Sequence, residues 1–293
     1  MPLLIKAAAI ALAVLIGNVT APLIDVGADA AGSIMRELAS ARGVSDFNRA
    51  ISWYVKRNTD NKQPILAPDQ HLIENYNAFY LDVNHGDTVD EKVLYLTFDA
   101  GYENGNISKI LDVLCDEDVP AAFFILENLI KSNPELVKRM ADEGHFVCNH
   151  TMKHRDMSRV DSLDEFSREL AGLEALYSET IGGEMKRFYR PPEGRFDENN
   201  LKFADELGYT TVLWSLAYAD WDNEKQPDPE SAKKKILENT HNGAIVLLHP
   251  TSATNAKIMS DLIRSWREMG YSFGTLDMLY KKGVPKSNWR DLK

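Results

Sequence analysis

KVLYLTFDAGYENG, residues 92–105, opens with a run of apolar, β-branched and aromatic side chains that ends on Asp99 and breaks into a turn at Ala100-Gly101. Apolar residues at successive positions are what a strand buried on both faces requires. The chain on either side supports that reading. ISKILDVLCDED (107–118) has the spacing of an amphipathic helix, and PAAFFIL (120–126) is a second buried strand. NPELVKRMADEGH (133–145) is a helix with Pro134 in its first turn and Gly144 as its stop, and HFVCNH (145–150) is a third strand. A long helix follows over 162–182, with a capping signature from Ser162 to Glu165. KRFYRPP is a strand, ENNLKFADELG a helix, YTTVLWSL a strand, DPESAKKKILENT a helix, GAIVLLH a strand and NAKIMSDLIRSWREMG a helix; YSFGTLDML closes the pattern. Strands that alternate with helices in this way predict an α/β fold with a parallel sheet, either a barrel or an open doubly wound sheet. In both, functional side chains gather at the C-terminal ends of the strands.

The composition permits a sizeable core: 293 residues, 44% hydrophobic and 26% charged. A formal net charge of −11 excludes a nucleic-acid binder, which needs a basic face to neutralise phosphates. It also means that an anionic polymer would have to be held by local contacts. Cys115 and Cys148 are too few for a disulfide framework and are expected to be buried free thiols, with a single bridge between them as the alternative. Ahead of the alternating region, Ala7 to Ile16 is an unbroken apolar run, with Ala28-Asp29-Ala30 as a small-residue cleavage site. Residues 1–30 are therefore expected to be an export signal or a membrane anchor acting through residues 3–16, and the protein to be secreted or anchored outside the cytoplasm. Residues 31–90 form an N-terminal extension whose aromatic residues Trp53, Tyr54, Tyr76, Phe79 and Tyr80 favour packing on the main domain. That domain spans 91–283, and 284–293 is a tail.

The strand ends carry the chemistry. Strand one ends in Asp99 and strand three in His150, with His154 four residues on. Strand four ends in Arg190-Pro191-Pro192, strand five leads to Asp220-Trp221, and strand six ends in His249. One such residue is ordinarily a turn former; five strands delivering Asp, His, Arg, Asp and His to one face point to a site. His150-x-x-x-His154 has the spacing of a two-histidine metal clamp, and without the glutamate of a zinc-peptidase motif it does not read as that class.

Taken in order, TFDAGYENG, NHTMKH, RPPEGRF, WSLAYADW and LLHP resemble the five motifs of the polysaccharide deacetylase family (NodB homology, carbohydrate esterase family 4), over roughly 92–279. GYENG, ADW and the preceding SWYVKRN…YNAFYLD resemble its delta-lactam-biosynthetic de-N-acetylase branch. The resemblance implies a distorted (β/α) barrel. It implies metal-dependent hydrolysis of the N-acetyl group of N-acetylmuramic acid in peptidoglycan, leading toward the muramic δ-lactam of spore cortex. Asp99 would be the general base and Arg190 the cation that orients it. His150 and His154 would hold a divalent metal: zinc, manganese or cobalt. The backbone N–H of Glu193 would be an oxyanion donor, since Pro192 has none. His249 would be the general acid, with Asp220 favouring its charged form. Pro192, Trp221 and Arg195 would lie along the substrate, Trp221 as a sugar-binding wall.

One position departs from the family pattern. A second aspartate, a metal ligand, usually follows the first; here it is Ala100, which has no donor atom. A weakly held metal is therefore expected. The GYENG loop is expected to be a shaping element, and Lys153 and Arg155 to be solvated. A deacetylase of N-acetylglucosamine polymers and a non-catalytic glycan-binding domain are the alternative readings; intact Asp99, Arg190, Asp220 and His249 argue against the second.

Overall fold

The computed structural model describes residues 50–280. The expected export signal or anchor and the C-terminal tail lie outside them. Among the described residues no helix is long and apolar enough to cross a membrane.

The strands are β1 (Ile51–Ser52), β2 (Ala78–Phe79), β3 (Lys92–Ala100), β4 (Ala121–Ile125), β5 (Phe146–Asn149), β6 (Lys186–Tyr189), β7 (Arg195–Phe196), β8 (Thr210–Val212), β9 (Leu216–Ala217), β10 (Ala244–Leu248) and β11 (Tyr271–Phe273); from β3 onward they follow the predicted alternation except for the two-residue β7, and β1 and β2 lie ahead of it in the extension. All pairs within the main sheet are parallel, in the order β2-β8-β6-β5-β4-β3-β10-β9, with β11 beside β3. YTTVLWSL was expected to be one strand but is two. β8 pairs with β6 at one side of the sheet and β9 pairs with β10 at the other, only Leu213, Trp214 and Ser215 apart. So short a link between opposite sides forces the sheet to curl, which makes the distorted parallel barrel.

The two-residue period of a strand sorts its side chains between two cores. On β3, Val93 and Tyr95 point to the interior cluster with Phe124, Cys148, Phe188 and Ile245. Leu94, Leu96, Phe98 and Ala100 join the larger cluster under the helices, with Ile107, Ile110, Met259 and Trp266. Asp99 continues the interior series at the strand's C-terminal end. Ala100 is buried on the opposite, helix-facing side.

The described part of the extension, 50–90, belongs to the same compact unit as the barrel. It supplies β2 to the sheet. β1 pairs antiparallel with β7, and Trp53, Leu66 and Ile73 pack with Phe196, Leu201 and Leu213. Three local expectations hold: Ser162 caps its helix by accepting from the Glu165 N–H, Gly144 stops its helix at φ +85°, and both cysteines are free. Cys148 is buried as expected, but Cys115 is exposed, because it falls on the outer face of the Ile107–Asp116 helix while Ile110, Leu111 and Leu114 take the core.

Candidate active site

Arg190 is the centre of the site. It stands just beyond β6, is wholly buried, and each of its three guanidinium nitrogens has a partner. One terminal nitrogen donates to Asp99 Oδ1 at 2.7 Å and the other to Thr97 Oγ1 at 2.9 Å, while Nε donates to the Val212 carbonyl at 3.0 Å. The Phe124 ring lies 4.1 Å below it and the Trp214 ring 5.8 Å away. A buried guanidinium is tolerated only when its donors and its charge are met, and this one meets both requirements. Asp99 receives the benefit. Burial alone would raise its carboxyl, but the charge and hydrogen bond of Arg190, with His150 and His249 adding, together hold Asp99 below its ordinary value, hence ionised.

His150, at the end of β5, is buried, and its Nδ1–H donates to the Arg190 carbonyl at 2.9 Å. That bond fixes the tautomer and leaves the Nε2 lone pair facing Asp99 Oδ2 at 3.6 Å. Burial pushes His150 down to about 4, so it is neutral at pH 7. His154 stands edge-on to it, ring centroids 5.0 Å apart. Thr151 (φ +70°) and His154 (φ +54°) both hold left-handed backbone, and the His154 N–H donates to Thr151 Oγ1, which turns the loop back on itself. Neutral imidazole with its distal N–H committed to a carbonyl is the state a metal-ligating histidine takes. The pair therefore fits a divalent ion. Among the described residues no group of three or more His, Cys, Asp or Glu is arranged to hold one, and Ala100 turns away into the core, so the fit is that of an open two-histidine site.

His249, after β10, forms the other half. Its Nδ1–H donates to Asp220 Oδ1 at 2.7 Å, and its own backbone N–H donates to Asp220 Oδ2 at 2.8 Å. Burial disfavours the charged ring, but the hydrogen bond and charge of Asp220, with Asp99 adding, raise His249 above its ordinary value. Asn255 completes the clamp, donating to Asp220 Oδ2 at 2.6 Å and to the His249 carbonyl at 3.0 Å. The Tyr218 hydroxyl in turn holds Asn255 Oδ1. Asn255, Tyr218 and Thr97 escaped the sequence reading. Asn255 sits on a helix and Tyr218 in a loop, and only the fold brings them to Asp220 and to each other.

These groups share one cleft of about 810 Å³, lined by Asp99, His150, His154, Glu193, Trp221 and His249 among others. Glu193 holds left-handed backbone (φ +57°) directly after the two prolines, with its side chain outward against Arg195. Trp221 is 63% exposed with its ring centroid 6.4 Å from that of His249, so it is a cleft wall and not core packing. Pro192 and Arg195 are not among the lining residues: Pro192 is buried and Arg195 pairs with Asp156 at 3.3 Å. The GYENG loop does shape the site. Glu103 accepts from the Ile107 N–H at the helix start, and Asn104 and Asn106 both donate to the Thr251 carbonyl, just past His249. Lys153 and Arg155 are not simply solvated: Lys153 pairs with Glu127, and Arg155 with Glu165 and Glu169.

The model of the family described as polysaccharide deacetylase matches residues 86–212. The chain is 39% identical over 233 residues to the peptidoglycan-N-acetylmuramic acid deacetylase PdaA of Bacillus subtilis (strain 168), covering 79% of this chain and 86% of that protein. The solved structure of Bacillus subtilis PdaA, described as a family 4 carbohydrate esterase, superposes with a TM-score of 0.74 at 38% identity, over 79% of this chain and 97% of that one. A family 4 carbohydrate esterase from Bacillus anthracis superposes with a TM-score of 0.64 at 34% identity, over 79% and 96%.

Proposed function

The chain belongs to the polysaccharide deacetylase family and is a hydrolase acting on amide bonds, and from that premise we propose that it removes the acetyl group from N-acetylmuramic acid residues of peptidoglycan, outside the cytoplasm. The observation that carries the reading is a pair of opposed proton groups on one cleft: Asp99, held ionised beside Arg190, and His249, hydrogen-bonded to Asp220, which favours its charged form. Amide hydrolysis needs both, a base for the attacking water and an acid for an amine that leaves poorly without a proton. A glycan binder needs neither.

In this mechanism Asp99 accepts the proton of the attacking water as its oxygen adds to the acetyl carbonyl carbon. The Glu193 N–H donates to the carbonyl oxygen as it becomes negative. His249, its Nδ1–H fixed on Asp220, delivers a proton from Nε2 to the amide nitrogen, and the carbon–nitrogen bond breaks to acetate and amine. Trp221 offers a flat apolar face for the sugar ring. His150 and His154 would hold a divalent metal, weakly because Ala100 offers no third donor; when bound, such an ion supplies Lewis acidity toward the carbonyl and the water. The freed amine stands one condensation, with loss of water, from the δ-lactam with the lactyl carboxyl of the same sugar, the form expected in spore cortex.

Support for the muramic sugar over glucosamine is the likeness to a protein named as an N-acetylmuramic acid deacetylase. The test is product analysis. Glycan strands treated with the protein are hydrolysed to monomers and the two amino sugars are scored for lost acetate. Free amine on muramic acid is expected; free amine on glucosamine alone would replace this reading with the second one.

A further inference from the structure

Asp99 and Glu193 line the cleft, and the whole chain carries a net charge of −11. A substrate bearing its own carboxylate needs a local cation to enter the cleft. Arg57 is the one arginine or lysine among the described residues that line the cleft. It comes from the extension, outside the five motifs. Its exposed guanidinium donates one N–H to the Ala217 carbonyl at 2.6 Å, on β9, three residues before Asp220 and four before Trp221. Among the described residues no carboxylate lies in ion-pair distance of it. A guanidinium has five donors in a planar fork, so a charged edge stays available beside the wall that carries Trp221.

The segment that presents it is held at both ends. The Trp53 N–H donates to the Gly194 carbonyl at 2.8 Å and its indole N–H to the Trp214 carbonyl at 2.8 Å. Lys56 exchanges backbone bonds with Ile65 at 3.1 and 2.9 Å. Between these anchors Tyr54, also on the cleft, is exposed and its hydroxyl donates to Asp69 at 3.3 Å. A pinned strap loses little freedom when it binds, which favours affinity.

We infer that Arg57 is a specificity-determining residue that binds the carboxylate of an acidic amino-sugar glycan and so selects carboxylate-bearing strands over neutral ones. The inference rests on the deacetylase reading. Two carboxylates share this chemistry: the lactyl group of a muramic acid free of peptide, and the carboxylates of a stem peptide.

The test compares full-length wild type, Arg57→Gln and Arg57→Lys on peptide-free muramic strands, peptide-bearing strands and a neutral N-acetylglucosamine pentamer. The Trp53 and Lys56 bonds keep the strap seated when glutamine removes the charge. On carboxylate-bearing strands Arg57→Gln should raise KM roughly tenfold or more with kcat within about twofold, and Arg57→Lys should restore part of it. Affinity for the neutral pentamer, read as KM or by calorimetric titration, should not move. Loss confined to peptide-free strands assigns the lactyl carboxylate, and loss confined to peptide-bearing strands assigns the peptide. A wild type active on muramic strands whose Arg57→Gln variant binds all three glycans as before, or loses all three equally, overturns the role of Arg57 alone. A wild type that releases no acetate from any of them overturns the deacetylase reading, and this inference with it.

Discussion

Replacing Asp220 by asparagine should slow the enzyme and move the alkaline limb of its pH profile to lower pH. Asp220 is wholly buried and accepts from three donors: His249 Nδ1 at 2.7 Å, the His249 backbone N–H at 2.8 Å and Asn255 Nδ2 at 2.6 Å. Asparagine keeps the shape but has one oxygen, so at least one of those donors would face an NH2 group. The strongest bond at stake is the one to the imidazolium that protonates the leaving amine. A hydrogen bond to a charged group contributes about 1.5–3 kcal/mol. At about 1.4 kcal/mol per decade of rate, kcat should fall between about tenfold and roughly 150-fold. The sign of the pH effect follows from the direction of the shift. Asp220 raises His249, so the acid form persists to higher pH and activity is lost as pH climbs through the raised value. Without the carboxylate that limb must come earlier. The assay is steady-state acetate release on muramic strands from about pH 5 to 10, spanning the range in which a histidine titrates. A kcat within twofold of wild type, or a lowered kcat with an unmoved alkaline limb, would refute His249 as the acid set by Asp220.

Further outcomes follow from other contacts. Arg190→Met would leave Asp99 largely buried with its main cation gone, so urea unfolding should report a loss of about 3–5 kcal/mol; an unchanged midpoint would mean that the guanidinium is not what holds this core. Gly194→Ala places a methyl at φ +62°, within 2.7 Å of the Trp214 ring and 2.9 Å of Trp53. It should destabilise by about 1–3 kcal/mol and weaken glycan binding through the displaced strap, and a calorimetric Tm equal to wild type would contradict that. Zinc titrated into the purified protein should bind weakly and be lost on dialysis against a mild chelator, because Ala100 supplies no ligand; retained stoichiometric zinc would show a donor set beyond His150 and His154.

The strands were legible because a parallel strand covered on both faces has little choice but a continuous apolar run, and 92–99, 121–125 and 244–248 are such runs. Asp99, His150 and His249 were legible because each stands at the C-terminal end of a strand or directly after it. Harder to read were the features defined by tertiary closure. β2 is two residues long and identifiable only by pairing with β8. The break between β8 and β9 exists because one segment serves two sides of the sheet, which no local pattern encodes. No local pattern pairs the buried histidines: His85 binds Asp82 at 2.6 Å, and His241 binds Ser215 at 2.9 Å across 26 residues. Asn255 is an ordinary helix residue by sequence, and its role comes from facing Asp220 across 35 residues.

The most direct test of the central claim is acetate release from muramic-acid-containing glycan strands by wild type and by Asp99→Asn, each with and without added divalent metal. Release by the wild type that metal stimulates and that the variant loses is expected, because asparagine cannot take the proton of the attacking water. An Asp99→Asn protein as active as wild type, or a wild type inert on muramic and glucosamine glycans under every metal, would contradict it.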